Sequence, residues 1–210
     1  LQRHQLYVFG GNNSLEQHDF EHNNFVSTTH KLDLGTFEWK AVANFPVPRQ
    51  SMQTVIGGTE EKPVGLVVGG FGFAGASLSS QPEVYGYDFK DDKWSAALTK
   101  MPIARSQFGL VEWEKAAWVV GGLNFDSQRK GDEFKLPTAV LRLDLRRLDI
   151  AHGRGQVRVV GDGLDATQIA RGAVEARPVV ALLVDVAQEI GGGDRRLGGG
   201  QRDDDGAFAG

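Results

Sequence analysis

The densest gathering of chemically able side chains lies in NNSLEQHDFEHNNFVSTTH, residues 12–30, which holds His18, Asp19, Glu21, His22 and His30. Imidazole beside carboxylate is a metal-ligand vocabulary, and His18 and His22 would share a face of a helix. Nothing in the stretch marks a helix, however. It is polar and rich in Asn, so it reads as a solvated loop and no metal site is expected. Two arginines form the second candidate set. Arg49, in FPVPRQ, and Arg105, in MPIARS, follow Trp39 and Trp94 at nearly the same distance. A guanidinium grips a carboxylate through paired, charge-assisted bonds, so both are ligand-binding candidates. They fit equally well as donors to loop carbonyls that close one structural unit on the next. A catalytic constellation is not found. There is no G-x-S-x-G and no phosphate-binding loop, and GDGLDATQIARG lacks the strand and spacing of a dinucleotide fingerprint. No catalytic residue is assigned and no cofactor is expected.

The arginines belong to a larger repetition. Apolar runs end in glycine pairs at LYVFGG (Gly10, Gly11), GLVVGG (Gly69, Gly70) and AWVVGG (Gly121, Gly122). Each pair precedes a polar loop and then an alternating stretch around an aspartate: HKLDL, YGYDF and LRLDL. In the first two units a tryptophan follows, and then the arginine. Period-two alternation, as in Leu141, Leu143 and Leu145, describes a strand with one buried face. VVGG is apolar on both faces, as for a strand buried between neighbouring sheets. The tryptophan would fill the wedge that opens between sheets on their outer side. GTEEK (58–62) and EWEKA (112–116) read as turns between the innermost strands. Asp33, Asp88 and Asp144 recur with the repeat and are therefore expected in turns or on solvent faces, not as a catalytic set.

These marks resemble kelch repeats, the blades of a β-propeller: the three glycine pairs, Tyr87 with Trp94, Trp39, and the strand-leading Arg49 and Arg105. Leu32 stands where the family prefers Tyr. The expected fold is all-β, a partial kelch-type β-propeller of two to three four-stranded antiparallel blades, over about 1–45, 46–100 and 101–148. The resemblance implies a binding or scaffold module that engages a protein or carbohydrate ligand through its loop face, including FGFAGASLSSQPE (71–83) and LNFDSQRKGDEFKLPT (123–138). There Phe71, Phe73, Phe125 and Phe134 either touch ligand or pin the loops. A kelch-type sugar enzyme such as a sialic-acid mutarotase is the alternative. Galactose-oxidase-like chemistry needs a cysteine cross-linked to tyrosine, and the chain contains no cysteine.

At residue 149 the vocabulary changes. Ile150 stands where the repeat asks for tryptophan, and Gly, Arg, Ala, Val and Asp dominate from there. Residues 149–210 read as a non-kelch, largely irregular tail. A short helix over 165–176, an apolar segment over 178–186 and a flexible Gly/Asp-rich end are all that is expected in it. A second domain so poor in large apolar side chains would bury little. A disordered tail suits the last residues better than 156–190. The abrupt change inside a blade points instead to a shift of reading frame near residues 146–150. On this reading the chain is a fragment of a ring.

Bulk composition limits the rest. The chain has 210 residues with 40% hydrophobic and 24% charged, the balance of a globular protein. A net charge of −4 gives no basic face for nucleic acid. No apolar run approaches the roughly 20 residues a membrane helix needs. Without cysteine there are no disulfides, and the chain opens on Leu1, so the compartment is not fixed.

Overall fold

A computed structural model describes residues 4–14, 19–148 and 154–161. The helix and apolar segment expected beyond residue 164 lie outside the described residues. Those residues form β-strands, turns and two 3-10 turns, with three main antiparallel sheets and two small hairpins.

The first sheet holds β1 (Gln5–Asn12), β2 (Phe25–Asp33) and β3 (Trp39–Val42), in that order. The chain then runs through β4 (Gln53–Gly58), β5 (Pro63–Val68), the hairpin of β6 (Phe71–Ala74) and β7 (Ser77–Ser80), and β8 (Glu83–Asp88). The outer edge of β8 carries two short strands, β9 (Lys93–Trp94) and β10 (Thr99–Lys100), while β5 and β4 complete the second sheet on its inner side. The third sheet begins with β11 (Gly109–Trp113) and β12 (Ala116–Val120). After the hairpin of β13 (Asn124–Phe125) and β14 (Phe134–Lys135) it continues with β15 (Val140–Asp144) and β16 (Val157–Gly161). Each sheet is thus a meander that grows outward, and the small hairpins spring from the loops after the glycine pairs.

Local chemistry explains the meander. Every glycine of the three pairs has positive φ, a region that L side chains rarely adopt. At Gly69 the requirement is set by backbone, because a Cβ would lie 2.5 Å from the Arg105 carbonyl oxygen of the next sheet. The recurring aspartates close the turns that end β2, β8 and β15. Asp33 accepts from the Gly35 and Thr36 amides, Asp88 from Lys90 and Asp91, and Asp144 from Arg146. EWEKA turns at Glu114 and Lys115, both with positive φ, and GTEEK is tied by Thr59 N–H to the Lys62 carbonyl.

Burial follows the pattern of the strands. β5 is buried along both faces from Val64 to Val68, while in β15 Leu141 and Leu143 are buried and Arg142 and Asp144 half-exposed. The main core joins the second and third sheets: Val64, Leu66, Val68 and Val84 against Ala117, Val119, Leu141 and Leu143. A smaller core joins the first and second, with Phe45, Val67 and Tyr85 buried and Phe9, Met52 and Trp94 packed on them. β16 gives the third sheet a fourth strand, with Val157 opposite Leu143 and Val159 opposite Leu141. It lies past the point where the repeat marks end.

Candidate functional site

Arg49 and Arg105 occupy equivalent places at the entry to β4 and β11, and both are buried. Burial of a guanidinium demands partners for its donors. Arg49 Nη1 donates to the Gly69 carbonyl at 3.2 Å and Nη2 to Glu83 Oε2 at 2.6 Å, while the guanidinium carbon lies 5.5 Å from the Tyr85 ring centre. Arg105 repeats the first bond, to the Gly121 carbonyl at 2.9 Å, but its second goes to the Ala139 carbonyl at 2.6 Å. Ala139 thus replaces the acid, and Arg105 Nε is buried without a hydrogen-bond partner. Burial alone pulls the Arg105 guanidinium below its ordinary pKa. For Glu83 burial acts in the opposite sense to the outcome: it raises the pKa, but the Arg49 hydrogen bond and charge, helped by a backbone bond and Lys100, hold the carboxyl below its usual range.

The same segment links the sheets. The backbone carbonyl of Arg49 accepts from Gly11 N–H at 2.7 Å and that of Arg105 from Gly70 N–H at 2.9 Å. Each strand-leading arginine is therefore seated in the glycine pair of the sheet before it. Two residues further on, Ser51 and Gln107 both adopt positive φ, and Gln107 N–H donates to the Ser51 carbonyl at 3.3 Å. The sequence offers a signal for this pair only in its common offset from the arginines.

On the loop face aromatic rings form a chain. Phe20 meets Phe71 at 5.5 Å, Phe71 meets Phe125 at 5.4 Å, and Phe125 meets Phe134 at 4.8 Å. Phe25 and His22 contact Phe73, and Phe25 also contacts Phe71. Phe71, Phe73 and Phe125 pin the loops of successive sheets together, whereas Phe134 is 63% exposed and Leu136 beside it 78%. Below them Ser80 and Ser106 share a hydrogen bond at 3.0 Å, and Gln81 donates to the Gly72 and Ser79 carbonyls. Of the candidate metal residues, His18 lies outside the described residues. Asp19 accepts from the Asn24 side-chain amide and the Glu21 backbone, and His22 sits against Phe73. Among the described residues no group of three or more His, Cys, Asp or Glu could hold a metal.

The wedge tryptophan is in place in the second sheet. Trp94 lies 4.9 Å from Phe45 and 5.2 Å from Phe9, and its indole N–H donates to the Ala43 carbonyl of the first sheet's trailing segment at 2.9 Å. Tyr87 donates to Asp92 Oδ1 at 2.5 Å, and the same oxygen accepts from Ala43 N–H. Trp39, its counterpart in the first sheet, is exposed. Among the described residues no helix is long and apolar enough to cross a membrane.

No family model matches the chain, and no curated protein matches it. Among solved structures, one titled "Structure of YjhT" superposes with a TM-score of 0.56 at 16% identity, covering 78% of this chain and 50% of that one. The chain thus spans about half the length of the structure it matches. At that identity the likeness is one of fold. It agrees with the meandering sheets and their glycine-pair seams: the chain is an all-β protein with a partial, kelch-like β-propeller fold.

Proposed function

We propose that the chain is a kelch-repeat binding module whose loop face engages a protein or carbohydrate ligand. The observation that carries this reading is the aromatic chain on that face. Its inner members are spent on joining loops, and its outer end leaves Phe134 and Leu136 bare on a rim positioned by rigid sheets. A flat aromatic ring offers the apolar contact that sugar faces and peptide side chains both use. Arg49 and Arg105 serve the module by holding the floor of the rim, because their donors already point at Gly69, Glu83, Gly121 and Ala139. A direct role in ligand contact would require those bonds to open.

The experiment is a titration of the isotopically labelled chain with a panel of saccharides, N-acetylneuraminic acid included, and acidic peptides. Shifts confined to residues 19–24, 71–82 and 123–138, and lost in Phe134→Ala, support the reading. Shifts elsewhere, or none with any probe, sink it. A sugar enzyme on the same scaffold is the second reading, since positioned polar groups alone suffice to exchange anomers. It is tested in the same tubes: an anomer exchange rate of N-acetylneuraminic acid unchanged by the protein removes it.

A further inference from the structure

The seam between the first and second sheets departs from the seam that follows it, and the departure leaves a cavity. Alignment on the glycine pairs and the recurring aspartates matches Gln5, Tyr7 and Lys31 with Val64, Leu66 and Gly86. It likewise matches Phe89 and Asp92 with Leu145 and Leu148. Between the second and third sheets these positions are aliphatic and closed. Val64, Leu66 and Leu145 share one cluster, Leu148 packs against it, and a Cβ on Gly57 would lie 3.1 Å from Leu148. Between the first and second sheets they are polar or aromatic, and a cavity of about 360 Å³ lies there, at the end of the sheets opposite the glycine pairs.

The apolar part of the cavity is firmly held. Phe89 meets Tyr7 at 4.8 Å and Tyr87 at 5.3 Å, and its ring covers Gly65 so closely that a Cβ there would stand 2.9 Å from Cζ. Pro63 adds a second apolar surface. The Tyr7 hydroxyl donates to Gln5 Oε1 at 3.0 Å, so Gln5 retains its amide donors. Around this floor stand Lys31, half-buried, and Lys62 and Lys90, both exposed. Among the described residues none of the three has a carboxylate within ion-pair distance, although the Lys31 charge acts through space on Asp33 and Asp92. Two of the three acids on the rim serve their own turns. Asp88 accepts from the Lys90 and Asp91 amides, and the Glu61 carboxyl is held below its usual range by its own amide and the Thr59 hydroxyl. The third, Glu60, is exposed.

We propose that this cavity is a binding site for a small aromatic carboxylate, with the ring on Phe89, Tyr7 and Pro63 and the carboxylate among Lys31, Lys62 and Lys90. An apolar floor with a few polar groups around it is the arrangement that takes a small molecule. The ring gains from edge and face contacts with the two aromatic side chains, and the anion from charge-assisted bonds to ammonium groups that have no acid of their own. The aliphatic residues of the next seam could offer neither. A strand paired to the free edge of β1 would add a wall, as Gly57 of β4 does beside Leu148. It would not change which side chains of β1, β2 and β8 line the space. The site lies at the opposite end of the sheets from the rim, so its failure leaves the loop-face reading untouched.

The test is a titration of the isotopically labelled full chain with benzoate, followed by nuclear magnetic resonance. Benzyl alcohol serves as the probe without the charge and acetate as the probe without the ring. Benzoate should shift the amides of residues 5–7, 31, 60–63 and 88–90 in the millimolar range, and bind about two- to fivefold more tightly than benzyl alcohol, with acetate weaker than either. Lys62→Met and Lys90→Met alter exposed side chains and should fold. Each should weaken benzoate by about two- to fivefold and leave benzyl alcohol unchanged. Tyr7→Leu, which copies the aliphatic seam, should abolish binding of both ring probes with an unaltered far-ultraviolet spectrum. The proposal is overturned if benzoate shifts none of these amides, if benzyl alcohol binds as tightly, or if both lysine variants bind benzoate as before. Acetate as effective as benzoate would overturn it too, since the lysines would then be an unspecific cationic surface.

Discussion

Arg49 and Arg105 occupy one place in successive sheets, yet their electrical surroundings differ. Arg49 faces Glu83, with Lys100 Nζ 3.3 Å from the other carboxylate oxygen. Arg105 is wholly buried with carbonyls only, since Ala139 stands where the acid would be. Removing one member of a buried pair strands the other charge, whereas removing an uncompensated cation strands only dipoles. Arg49→Met should therefore cost about 1–2 kcal/mol more than Arg105→Met, both compared by urea unfolding followed by tryptophan fluorescence. Equal losses would show that Lys100 alone compensates Glu83. The same pair sets an acid limit. The Glu83 carboxyl is held below its unfolded value, so its contribution is complete above about pH 5 and fades as pH falls through the folded pKa. Glu83→Gln should flatten the stability profile below that pH, and an unaltered acid limb would place the sensitive group elsewhere.

The glycine pairs, the strands they end and the aspartate turns were legible as elements because each recurs, and recurrence separates a required residue from an incidental one. Glu83 was not legible for the converse reason: the third unit carries Ala139 in its place. The hairpins β6–β7 and β13–β14 were hidden in sequence that reads as polar loop, because backbone pairing there owes little to side-chain alternation. β16 was hidden because an outer strand buries little: Val157 is half-buried while Val159 and Val160 are exposed, so the alternation is weak. At the rim, the phenylalanines were visible by type, but which of them would pin loops depended on contacts between units. Substitutions can separate the two demands on a glycine pair. Gly11 has φ of 125° with open space at its Cβ position, whereas Gly70 has φ of 110° with Met52 Cγ at 2.5 Å and the Gln50 carbonyl oxygen at 3.0 Å. Gly11→Ala should cost about 1–2 kcal/mol through backbone strain alone. Gly70→Ala should cost about 1–3 kcal/mol more through overpacking at the seam. Similar midpoints for the two in urea would mean that Met52 yields freely.

Across the whole molecule the seams between sheets are unequal, and that inequality predicts how the protein opens. The second and third sheets share a continuous aliphatic core of fully buried side chains, including Leu66, Val84, Ala117 and Leu141. The first sheet is held by a smaller cluster, in which partly exposed rings do much of the packing and Trp94 reaches back to the Ala43 carbonyl. Local opening follows the density of buried apolar contact, so a sheet fastened by fewer buried groups should open at lower free energy. Native-state hydrogen exchange should find the amides of β5, β8, β12 and β15 slowest, with β2 and β3 exchanging through an earlier opening. Trp94→Phe keeps an aromatic body in the wedge but removes the indole donor. It should therefore speed exchange in β2 and β3 several-fold, the effect of about 1 kcal/mol for one hydrogen bond, and leave β12 and β15 unchanged. If all four strands lose protection together, the three sheets unfold as one cooperative unit. The aliphatic core between sheets two and three would then be stabilising the first sheet as well, through the seating of Arg49 in Gly11.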